Sequence, residues 1–142
     1  GEDQVHVWRR SYDIPPPFLD KNDERHPRFD NKFNDIQVPL PVGESLKNVI
    51  DRLHPFWIDY VSSLSEMQGD YLIVAHSNSL RAIVKILDKL SDKEIMSINI
   101  PTGVPLVYTI DQNLNVMDKQ YLIDREQLKV KQEIVENQGK VK

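Results

Sequence analysis

The stretch Gly69-Asp70-Tyr71-Leu72-Ile73-Val74-Ala75-His76-Ser77-Asn78-Ser79-Leu80-Arg81 decides how the chain is read. An uninterrupted apolar run from Tyr71 to Ala75, bounded by turn residues, has the pattern of a strand buried on both faces of a parallel sheet. His76-Ser77-Asn78-Ser79 breaks the run. Beyond it Leu80, Ile83, Val84, Leu87 and Leu90 recur at helical spacing, which predicts an amphipathic helix with Arg81, Lys85 and Lys89 on its outer face. Strand, polar turn and helix in that order belong to an α/β sheet, where ligands gather at the carboxyl ends of the strands.

Upstream, Leu46, Val49, Ile50, Leu53, Trp57, Val61 and Leu64 predict a helix over 44–65, bent at Pro55. Residues 2–12 predict a short helical end, with Val5 and Trp8 on one face and Arg9 and Arg10 in the last turn. Between these helices, 11–43 is a long proline-rich loop carrying Pro15, Pro16, Pro17, Pro27, Pro39 and Pro41, with neither helical nor strand period. Loops of that length are usually lids, binding loops or disordered. Downstream, Ser91 and Glu94 have capping-box spacing. Residues 104–110 and 116–123 are strand-like around a turn at 111–115, and 124–142 reads as a C-terminal helix and tail. The fold expected for 1–142 is the C-terminal portion of a single α/β domain. One buried strand, two further strands and several helices do not close a doubly covered sheet, so the edge beside Tyr71–Ala75 calls for N-terminal strands missing from these residues.

The chain has 142 residues, 39% of them hydrophobic and 28% charged, a balance that supports a modest folded core. A formal net charge of −4 with dispersed cations gives no basic field for nucleic acid. With no cysteine there is no disulfide framework, thiolate metal site or cysteine nucleophile, and a reducing, cytoplasmic setting is the expectation. No apolar run approaches the ~20 residues of a membrane span.

His76 stands at the mouth of the expected crevice, before a helix whose free N–H groups favour anions and which Asn78 or Ser79 is placed to cap. An imidazole there can donate to a phosphate oxygen, shuttle a proton or attack phosphorus. The plain alternative is a histidine that ends a strand and bonds a carbonyl. Ser77 and Ser79 lack the flanking glycines of a hydrolase nucleophile elbow. Arg9 and Arg10 can bind phosphate or carboxylate bidentately, or simply form a solvated helix end. His6, His26 and His54 have no partners at metal-ligand spacing and read as surface or packing residues; no metal is expected.

Three segments in order, Val7-Trp8-Arg9-Arg10-Ser11-Tyr12 before Pro15-Pro16-Pro17, Ala75-His76-Ser77-Asn78-Ser79-Leu80-Arg81, and Asn99-Ile100-Pro101-Thr102-Gly103-Val104-Pro105-Leu106-Val107-Tyr108, closely resemble cofactor-dependent phosphoglycerate mutases of the histidine phosphatase superfamily. The resemblance extends over nearly the whole chain and is weakest at 28–36. It implies a three-layer α/β/α domain and interconversion of 3-phosphoglycerate and 2-phosphoglycerate, in glycolysis and gluconeogenesis, through a phosphohistidine enzyme primed by 2,3-bisphosphoglycerate without metal. It also implies that His76 is the second active-site histidine, that Arg9 and Arg10 bind the substrate's acidic groups, and that Ser77 and Asn78 lie at the phosphate-contacting turn. The Arg-His-Gly motif whose histidine carries the phosphoryl group does not occur in these residues, nor does the proton-transferring glutamate. An isolated fragment without turnover is therefore the expectation. The alternatives are a bisphosphoglycerate synthase or phosphatase of the same superfamily, or a non-catalytic remnant or split-protein half. The expected partners are small phosphorylated three-carbon acids, and either further copies of the chain or an N-terminal complement of its own domain. Ser77 replaces the glycine of the resemblance, which predicts crowding, and strain if the turn requires a positive φ.

Overall fold

The computed structural model describes residues 1–64, 69–138 and 140. The expected helix end at Ser65 and the tail positions 139, 141 and 142 lie outside these. The first helix, α1, spans Glu2–Arg10, with Glu2 and Asp3 in its first turn and Arg9 and Arg10 in its last. That order suits the helix dipole, which favours acids at the start and cations at the end. The connection to the next helix carries two single 3-10 turns, Pro27–Phe29 and Asn31–Phe33. Its ends are drawn together by the Leu19 N–H donating to the Val42 carbonyl at 3.0 Å. Gly43 is required there, because a Cβ would lie 2.9 Å from the Phe18 ring and 3.3 Å from the Pro16 carbonyl oxygen.

Helix α2, Leu46–Leu64, contains Pro55. Buried Ser45 precedes it: the Ser45 hydroxyl accepts from the Asn48 N–H, and the Asn48 amide oxygen accepts from both the Ser45 N–H and the Ser45 hydroxyl. This reciprocal arrangement satisfies the donors a helix start leaves unpaired. Helix α3, Ser77–Leu87, packs on α2. Trp57 and Ile83 form the centre of that contact, with Leu53, Tyr60, Ile86, Leu87 and Leu114 around them. Full burial of such side chains stabilises by about 1.5–3 kcal/mol each. Helix α4, Asp92–Ile95, follows, and Ser91 and Glu94 form the expected capping box. Strands β1, Leu106–Ile110, and β2, Val116–Tyr121, pair antiparallel from Leu106 opposite Tyr121, with an irregularity between Thr109 and Ile110. Asp111 organises the turn by accepting from the N–H groups of Asn113 and Asn115. Leu114 closes it at φ 64° with its side chain against the Trp57–Ile83 cluster. Helix α5, Arg125–Asn137, is capped by Asp124.

The α/β class thus holds, with a two-stranded antiparallel sheet among the described residues. Three local expectations are corrected. Tyr71–Ala75 is not a buried strand: it is unpaired, and Leu72 and Val74 are 86% and 84% exposed. A strand is a property of its neighbours, and no described strand pairs with this segment. The α3 cap is His76 rather than Asn78 or Ser79. Arg81 and Lys85 do not face outward; both are partly buried and bond backbone carbonyls, Arg81 that of Ile95 and Lys85 that of Leu90. Positively charged side chains on a long stem reach such acceptors while their methylenes cover apolar surface.

Candidate functional site

His76 precedes α3 with extended backbone, and its Nδ1 accepts from the Asn78 N–H at 3.2 Å. An imidazole accepting at Nδ1 carries its neutral-form proton on Nε2, so the outer nitrogen is a donor. Asn78 is tied here by its backbone, leaving its side chain for other work. The N–H groups of Ser77 and Ser79 find no acceptor among the described residues, so the start of α3 presents free donors beside an imidazole N–H. Ser77 is the first residue of α3, its φ is negative, and its hydroxyl has no partner among the described residues. The strain expected of a serine at a positive-φ turn is therefore absent.

Arg10 is anchored at the other side. Its Nη1 donates to the Asn99 Oδ1 at 2.9 Å and the Met96 carbonyl at 3.4 Å, and its Nη2 donates to the Glu136 carbonyl at 3.2 Å. Arg9 donates to the Gln138 Oε1 at 3.2 Å. Both arginines line a cleft of about 200 Å³ with Glu2, Asp3, Glu136 and Lys140. Neither this cleft nor a larger one of about 450 Å³ beside Asn99, Lys119 and Tyr121 takes in His76, Ser77 or Asn78; His76 and Asn78 are exposed and Ser77 is half-buried. No hydrogen bond among the described residues joins the arginine pair to the His76 turn directly.

Arg81 bridges them. Its Nη1 donates to the Asn78 Oδ1 at 3.3 Å, and its Nη2 donates to the Ile95 carbonyl at 2.8 Å, one residue before the carbonyl that takes Arg10. Burial, then the charges of Arg10 and Arg9, pull the Arg81 guanidinium down to about 10. Among the described residues none of the three arginines pairs with a carboxylate. Among the described residues the three guanidinium groups hydrogen-bond only neutral oxygens, a donor set suited to a phosphate or carboxylate, while the carboxylates of Glu2, Asp3 and Glu136 lie in the same cleft as Arg9 and Arg10. Sequence reasoning placed Arg81 on the solvent face because helical period separates apolar from polar positions, and says nothing of a carbonyl fourteen residues on. The one available signal was its place inside the His76 motif.

The model of the histidine phosphatase superfamily (branch 1) matches residues 17–120. The chain belongs to the histidine phosphatase superfamily. The chain is 49% identical over 141 residues to a 2,3-bisphosphoglycerate-dependent phosphoglycerate mutase of Hydrogenobaculum sp. (strain Y04AAS1). The match covers 99% of the chain and 57% of that relative. No group of three or more histidine, cysteine or carboxylate side chains arranged to hold a metal occurs among its described residues. No helix among them is long and apolar enough to cross a membrane.

Proposed function

We propose that the chain supplies the anion-binding portion of a phosphoglycerate mutase that uses 2,3-bisphosphoglycerate as primer and works in the cytoplasm. The observation that carries this reading is the set His76–Asn78–Arg81 with Arg10 on the carbonyl next to the one that takes Arg81: a histidine N–H donor joined through Asn78 to a cation, and two cations with no carboxylate partner among the described residues. Family membership and 49% identity to a mutase support it. In this reading Arg9 and Arg10 bind the acidic groups of 3-phosphoglycerate or 2-phosphoglycerate. Asn78 and the Ser77 and Ser79 N–H groups hold phosphoryl oxygens, and the His76 Nε2–H bonds the oxygen that gains charge during transfer. Phosphoryl transfer is chiefly positioning and electrostatic stabilisation, which donors and cations of this kind provide.

These residues contain no Arg-His-Gly sequence to accept the phosphoryl group. By themselves they bind and do not turn over, and the acceptor histidine comes from an N-terminal complement of the same domain. The unpaired, exposed segment Tyr71–Ala75 supports that part of the reading, since it has the composition of a buried strand. Two measurements test it. Isothermal titration with 3-phosphoglycerate gives binding by the 142-residue chain, with interconversion and acid-labile histidine phosphate appearing only when the matching N-terminal segment of the mutase relative is added. Failure to bind, or stoichiometric phosphate on His76 of the chain alone, refutes the proposal.

A further inference from the structure

We infer that Arg81 is a positioning residue of the anion site, which fixes the Asn78 side-chain amide so that its NH2 group remains free for an oxyanion, and which ties α3 to the end of α4, where the Arg10 side chain is held. The inference deepens the mutase reading and rests on it for the identity of the ligand. A guanidinium only donates hydrogen bonds, so its partner on Asn78 must be Oδ1. With Oδ1 held at 3.3 Å by Arg81 Nη1, the amide cannot flip without losing that bond. Its Nδ2 has no acceptor among the described residues and sits on an exposed side chain. The backbone N–H of the same residue is already engaged by His76 Nδ1, so both ends of Asn78 are fixed and one donor group is left over.

The other half of the guanidinium reaches the next element. Nη2 bonds the Ile95 carbonyl, and Ile95 is wholly buried, which makes that acceptor a firm anchor. Arg10 Nη1 bonds the adjacent Met96 carbonyl and uses the Asn99 Oδ1 in the same donor-to-oxygen sense. Two arginines are thus gathered on consecutive carbonyls at the end of α4, where the partial negative charge of helix carbonyls favours cations. Arg81 Nε is buried with no hydrogen-bond partner among the described residues. Burial of a cation with an unused donor beside two like charges is unfavourable in the free protein, and a bound oxyanion relieves the repulsion. A residue serving only to pin α3 to α4 would need the Ile95 contact and not the Asn78 contact.

The test uses the 142-residue chain. The order of the Asn78 side-chain amide is measured by 15N relaxation without ligand, and 3-phosphoglycerate affinity by calorimetry, for wild type, Arg81→Met, Arg81→Lys, Asn78→Ala and the double variants. The expected result is an ordered Asn78 NH2 group in wild type and a mobile one in both Arg81 variants. Arg81→Met should weaken binding roughly tenfold or more, as loss of a hydrogen bond to a charged group does, but have little effect once Asn78 is alanine. Arg81→Lys, which keeps the charge without the fork, gives the same two readings should Arg81→Met fail to fold. An amide equally ordered without Arg81, or affinity losses that multiply in the double variant, overturns the inference. If wild type binds no phosphoglycerate the mutase reading falls, while the ligand-free relaxation data still decide the role of Arg81.

Discussion

Ser77 starts α3 with a negative φ, so its side chain incurs none of the penalty of a left-handed turn. Replacing it by glycine removes no strain and adds backbone freedom to the unfolded chain. Ser77→Gly is therefore expected to lower stability by roughly 0.5–1 kcal/mol, read as a lower urea midpoint at unchanged slope. An unchanged or higher midpoint contradicts the local geometry. Arg9 and Arg10 separate in the same kind of experiment. Arg10 joins α1 to the Met96 and Asn99 segment and to the end of α5, whereas the one hydrogen-bond partner of the Arg9 side chain among the described residues is the exposed Gln138. Arg10→Ala should cost about 1–3 kcal/mol of fold stability as well as ligand affinity, while Arg9→Ala should reduce affinity with the melting temperature nearly unchanged. Equal melting temperatures for the two variants would count against that division. At this scale the places of Arg9 and Arg10 in the last turn of α1 and of His76 just ahead of α3 were legible, because local pattern sets them. The role of Arg81 was not, since its acceptors on Asn78 and Ile95 become neighbours only when α3 and α4 meet.

Elements with local causes were the most legible. The Ser91–Glu94 capping box, the helices α2 and α5 and the hairpin turn at Asp111 all depend on residues within a few positions of one another. The cap of α3 was misread because Asn78 and Ser79 have the higher cap preference, yet His76 reaches the Asn78 N–H first. Bonds from the Ser91 hydroxyl and then the Ser91 N–H hold the Glu94 carboxyl below its ordinary value. A depressed carboxyl contributes stability that is present above its unfolded value and is lost as pH falls through the folded one. Acid titration should accordingly loosen α4 as Glu94 protonates, and Glu94→Gln should flatten that part of the stability curve. Amide exchange at Ile95 and Met96 across the acid limb measures it, and an identical pH dependence in Glu94→Gln would refute the assignment.

For the molecule as a whole, the α/β class and the order of elements could be read from pattern, but pairing of Tyr71–Ala75 could not be. Its apolar run specifies burial on two faces only if other strands are present to provide it. In this structure the buried apolar core is confined to residues such as Val49, Trp57, Ala82, Val84, Ile95 and Ile100, while Leu72 and Val74 lie open. The double variant Leu72→Lys, Val74→Lys is expected to reduce binding of an apolar fluorescent dye without lowering the melting temperature, because neither side chain loses a buried contact. A marked fall in melting temperature would mean that these residues are buried in solution.

Exposed extended backbone is also what a protease active site accepts. The bonds around Tyr71 and Leu72 offer chymotrypsin an unpaired substrate segment, and cutting there divides α1 and α2 from everything that follows. The two pieces remain joined by Trp57 on Ile83 and by Arg10 on Met96, Asn99 and Glu136, each of which spans the cut. A nicked chain should elute as one species from a sizing column and come apart only in denaturant. The residues of the proposed anion site would then be shared by two polypeptides, with Arg10 on one and His76 and Arg81 on the other, held together without a covalent link.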